Sequence, residues 1–123
     1  MKVYAQGDII LVTVTDVEPK PQQIVDAANG TVVLAHGEQT GHQHAFYGGA
    51  VLFRDERLAR DVPPELYVGH VKIRSGGAVL EHGPAAGVIG DHDPIKIPPG
   101  TYIVCRQREF VGRESLEARI LCD

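Results

Sequence analysis

Turn signals recur along this chain at short intervals, and they constrain its fold more than any other feature. Asn29-Gly30, Gly48-Gly49, Gly76-Gly77 and Pro98-Pro99-Gly100 punctuate runs rich in valine and isoleucine. Glycine supplies positive φ at no steric cost, and proline pre-sets φ at a turn's first corner. Between these points, residues 9–15, 31–35, 44–47, 50–53, 67–75, 78–82 and 101–111 read as strands, with 116–121 a candidate last one. The two Gly-Gly pairs each fit a two-residue hairpin. Residues 18–23 hold two prolines and read as a connection. Residues 54–61 have room for a helical turn or two before Pro63-Pro64 stops it. At 123 residues the chain is one domain's worth of sequence. The expectation is a single all-β domain over residues 1–123, a small barrel or sandwich of about eight short strands.

Charge and motifs exclude several function classes. The formal net charge is −4 and no basic patch dominates, which argues against nucleic acid or an anionic membrane surface as partner. The longest clean apolar run, residues 9–12, is far short of a membrane span. No signal-peptide pattern opens the sequence, so the expected location is cytoplasmic. The two cysteines, Cys105 and Cys122, form no CxxC; neither a disulfide scaffold nor a cysteine zinc site is indicated. HExxH, Walker A, GxSxG and GxGxxG are absent.

Histidine is the unusual residue, six in 123. In a strand, residues two apart share a face, so His42 and His44 point the same way, within reach of one metal ion. A Gly48-Gly49 hairpin places His42, His44 and Phe46 beside Val51, Phe53 and Asp55. A Gly76-Gly77 hairpin places Val71, Ile73, Ser75, Ala78, Leu80 and His82 on an apolar face, and His70, Lys72, Arg74, Val79 and Glu81 on a charged one, Lys72 opposite Glu81. The candidate metal ligands are therefore His42, His44 and His82, with His92 of Asp91-His92-Asp93-Pro94 as a fourth. Neutral imidazole suits a divalent transition metal: zinc, nickel, copper or iron. His70 reads as solvated and His36 as a strand-end residue. Cys105 reads as a small core residue, with Gln107 and Glu109 on its face. The glycine-rich residues 83–90 read as a lid or insertion.

Three segments carry a resemblance. Gln6-Gly7-Asp8-Ile9-Ile10-Leu11, Thr40-Gly41-His42-Gln43-His44, and Pro98-Pro99-Gly100-Thr101-Tyr102 followed by Arg106-Gln107-Arg108-Glu109 resemble a family of small, uncharacterised bacterial proteins. That resemblance implies no activity. The family usually has a compact histidine pair before a Pro-Ile step; here His82 and His92-Asp93-Pro94-Ile95 occupy that region, with nine residues between the histidines. The chain is also weakly similar in shape to cupins, β-barrels with an HxH metal motif. It departs from them where Tyr47-Gly48-Gly49 replaces their glutamate and Thr101-Tyr102-Ile103 replaces their later histidine.

The sequence reading is thus a divalent-metal-binding protein without assigned turnover. Two alternatives stand beside it. One is a small metal-dependent enzyme with a cupin-like site, using an acid such as Glu109 or Asp55. The other is a metal-free interaction module whose strand edges recruit a protein partner or a second copy.

Overall fold

The computed structural model describes residues 2–7, 9–26, 31–36, 42–84 and 92–106; of these, positions 26, 31–36, 42–43, 82–84 and 92–93 are described by backbone alone. Eight strands are present among them: β1 (Val3–Gln6), β2 (Ile9–Val14), β3 (Ile24–Asp26), β4 (Thr31–His36), β5 (His42–Phe53), β6 (Tyr67–Pro84), β7 (His92–Ile97) and β8 (Gly100–Arg106). All pair antiparallel in one sheet, in the order β1-β2-β8-β6-β5-β3, with β4 beside β5 and β7 beside β6. The all-β expectation holds. No pairing among the described residues closes the sheet into a barrel.

The strands are not uniformly short, because the Gly-Gly pairs are bends inside strands rather than hairpin turns. β5 runs for 12 residues through Gly48-Gly49, and β6 for 18 through Gly76-Gly77. The two strands pair with each other along their length: His44 opposes His82 and Phe46 opposes Leu80, then Ala50 opposes Ile73 and Phe53 opposes His70. Gly48 opposes Ala78 and the next pair is Ala50 with Ile73, so residues 74–77 of β6 face Gly49 alone. Positive φ at Gly48 (122°), Gly76 (96°) and Gly77 (74°) makes this bend. Its tightness also demands glycine, since a Cβ at Gly77 would lie 2.9 Å from the Ile97 carbonyl oxygen. Each arm thus finds a longer, non-local partner than its neighbour across the glycines.

Pro98-Pro99 bends the chain at the same level. Ile97 opposes Ala78 and Gly100 opposes Ile73, so β7 and β8 lie end to end along one edge of β6. The common bend divides the sheet. Its larger part holds β1, β2, β8, β3 and the Ala50–Ile73 ends of β5 and β6. Its smaller part holds β4, β7 and the other ends.

The main core contains Phe46, Ala78, Leu80 and Ile97 from the smaller part and Ile9, Leu11, Ala50, Leu52, Val71, Ile73, Tyr102 and Val104 from the larger. Phe46 therefore clusters with Ala50 and Leu52, not with Val51 and Phe53 as the hairpin reading expected. Strand parity carries through the glycines of β5. On β6 the extra residues 74–77 absorb the odd spacing from Ile73 to Ala78, so Val71, Ile73, Ala78 and Leu80 do share one cluster. Lys72 opposes Val51 and Thr101 rather than Glu81, and its amine pairs with Asp16 and Glu18 at 3.3 and 3.0 Å.

Ile10, Val12, Ile103 and Cys105 alternate with the main-core residues of β2 and β8 and form a second core. The segment 54–66 supplies Ala59, Val62 and Leu66 to it, and Tyr67 completes it. The helical turn expected there is the 3-10 turn Glu56–Ala59, whose first turn is capped by the Asp55 carboxylate accepting from Arg57 N–H at 3.1 Å. Burial on both faces explains why residues 9–12 read as an unbroken apolar run. Several sequence expectations lie outside the described residues: the Asn29-Gly30 turn, the lid beyond Pro84, everything after Arg106, and so Gln107, Glu109 and Cys122.

Candidate functional site

Three of the four candidate ligands fall on one cross-strand row. By backbone register His44 of β5 opposes His82 of β6, and His82 opposes His92 of β7. His42 lies two residues along β5, opposite Pro84. The pairing of His82 with His92 depends on an irregularity. Leu80 opposes Ile95, so an unbroken ladder would set Asp93 against His82; β7 instead spends one extra residue between these pairs. Pro94 sits within that interval and has no N–H for the ladder, which is a local reason for the irregularity.

Of these histidines, His44 is described with its side chain. It is 1% exposed, and its Nδ1 lies 3.1 Å from Gln6 Oε1. Gln6 is equally buried, at 2%. It ends β1 just before Gly7, whose φ of 58° turns the chain toward β2. Its Nε2 donates to the Leu80 carbonyl at 3.0 Å. Gln6 therefore ties the edge strand of the larger sheet part to both β5 and β6 of the smaller one. Sequence reading noticed Gln6 only as part of a motif; its partners stand 38 and 74 residues away. The side chains of His42, His82 and His92 lie outside the described set. Among the described residues, no three His, Cys, Asp or Glu side chains form a metal-holding group.

His70 is the clearest correction. It is 1% exposed, not solvated. The register sets it directly between Phe53 and Ile103, within the face that residues 54–66 cover. Its ring stacks on Phe53 at 5.4 Å, and its Nδ1 is 2.6 Å from the Tyr67 hydroxyl oxygen, which also accepts the Asp55 N–H at 3.0 Å. Nε2 is buried with no hydrogen-bond partner among the described residues. Burial, opposed by the Asp55 charge, lowers the His70 pKa to about 4, and burial raises that of Tyr67 to about 12.

The remaining candidates have structural roles. Asp55 accepts from the Arg57 guanidinium and backbone and from Gln23 Nε2, and the Arg57 hydrogen bond is the main reason its carboxyl stays below the usual range. Cys105 is fully buried and unbridged, and burial pushes its thiol up to about 12. It is a core residue, as the sequence reading held.

Fold and histidine row together define a small all-β domain on one bent antiparallel sheet, with a buried Gln–His contact at one end of a histidine row. Residues 5–107 match the family described as Domain of unknown function (DUF8820), and the protein belongs to that family. No curated protein and no solved structure matches the chain. Among the described residues, no helix is long and apolar enough to cross a membrane.

Proposed function

We propose that this protein binds a divalent transition metal through His44, His82 and His92, with His42 as the fourth ligand. The carrying observation is the register that sets His44, His82 and His92 on adjacent strands in one row. Directly opposed positions of an antiparallel sheet have Cβ atoms about 4.5–5.5 Å apart. Imidazoles at such spacing can converge on one ion with nitrogen-to-metal distances near 2 Å. An all-nitrogen set fits zinc, nickel, copper or iron, and no reaction is assigned to the site.

Zinc titration of the metal-stripped, tag-free protein tests this reading. Affinity should fall at least about ten-fold in His44→Ala and His82→Ala and stay near the parent value in His70→Leu, whose ring belongs to the other core. Equal zinc affinity in all four proteins, or no binding by the parent, would refute the site.

One observation favours a second reading, a protein-interaction module. Edge strand β3 exposes Ile24 and Val25, at 39% and 57%. Sedimentation of the metal-free protein showing a stable dimer that Val25→Lys dissolves would support that reading.

A further inference from the structure

We infer that Gln6 is a positioning residue that fixes the tautomer of His44 and makes Nε2 its metal-binding atom. This rests on the metal-site reading above. The argument is one of hydrogen-bond polarity. The Leu80 carbonyl can only accept, so the Gln6 atom 3.0 Å from it must be the amide nitrogen. That leaves Oε1 as the Gln6 atom 3.1 Å from His44 Nδ1. An amide oxygen can only accept, so Nδ1 must carry the proton. The neutral ring then bears its lone pair on Nε2, the form in which an imidazole ligates metal through Nε2.

Both side chains are almost fully buried, at 2% and 1% exposure, so water does not readily replace the contact. The tautomer of His44 is thus dictated by a backbone carbonyl of β6, through the amide of a residue on β1. The same amide holds the ring's orientation, as a second hydrogen bond does for metal-bound histidines in general. Because Leu80 lies two residues from His82 on the same strand, one glutamine ties β1 to both strands that carry the first two histidines of the row.

The test combines a spectroscopic and a binding readout on the full chain. Proton–nitrogen correlation spectra of the metal-free protein read the His44 tautomer. The parent should show Nδ1–H, and Gln6→Met, which offers no amide oxygen to Nδ1, should move toward Nε2–H. A merely structural tie would not move this signature. Zinc affinity should fall about 10-fold or more in Gln6→Met. A parent ring protonated on Nε2, or zinc affinity unchanged in a folded Gln6→Met, would overturn the inference while leaving the metal site standing. No zinc binding by the parent would instead remove the metal site, and the positioning role with it.

Discussion

Replacing His70 with leucine should remove a large part of the protein's acid sensitivity. The folded His70 titrates at about 4 against an ordinary 6.5, because its ring is buried under residues 54–66 between Phe53 and Ile103. The unfolded chain therefore binds the proton first as pH falls. Above pH 6.5 both states are neutral at this residue and its contribution is constant. Between 6.5 and about 4 the unfolded state holds more protons, so stability falls as pH falls, and it levels off below the folded value. At pH 4.5 the linkage amounts to about 2.5 kcal/mol relative to pH 7. Leucine cannot titrate, is close in volume, and leaves the Tyr67 hydroxyl still accepting the Asp55 N–H. Urea unfolding of the metal-free parent and of His70→Leu at pH 7 and pH 4.5 measures the difference. The parent should lose about 2.5 kcal/mol more than the variant between the two pH values. Equal losses in the two proteins would show that His70 is not buried as a neutral ring.

Other contacts give sharper local tests. Tyr67→Phe deprives both the Asp55 N–H and His70 Nδ1 of their partner and should cost about 2 kcal/mol in urea unfolding at pH 7; a neutral outcome would contradict the buried triad. Gly77→Ala combines φ of 74° with a Cβ 2.9 Å from the Ile97 oxygen and should cost about 1–3 kcal/mol, more than Gly76→Ala, which meets only open space. Equal cost at the two glycines would mean that the bend is not closely packed against β7. In a Cys122→Ser background, Cys105 should resist thiol reagents at pH 8 until the protein is unfolded, since it is fully buried with a pKa near 12. Rapid labelling of the native protein would contradict its place in the second core.

What the sequence made legible was chiefly local. β-Branched runs and turn residues announced an all-β domain and a strand from residue 9; that residues 9–12 are buried on both faces is seen only in the structure. The Gly-Gly pairs were visible as places where the backbone must deform, but glycine permits a reversal and a bend alike. The choice was made by non-local pairing of β5 with β6, which no local pattern reveals. That choice decided the environment of His70: a position reached by alternation beside Lys72 and Arg74 lies instead under a covering segment that brings Ala59, Val62 and Leu66. The inward reading of His44 held because it needed only its parity with Phe46. The link from Gln6 to the histidine row stayed hidden because His44 and Leu80, its partners among the described residues, are distant in sequence and its own local pattern is that of any strand end.

The central claim, a metal held by the histidine row, is tested most directly by elemental analysis of protein purified without a histidine tag. The account predicts about one divalent transition-metal ion per chain in the parent, and none in a folded His44→Ala/His82→Ala double variant prepared alongside it. A parent that carries no more metal than the double variant, before and after incubation with zinc and desalting, would contradict it.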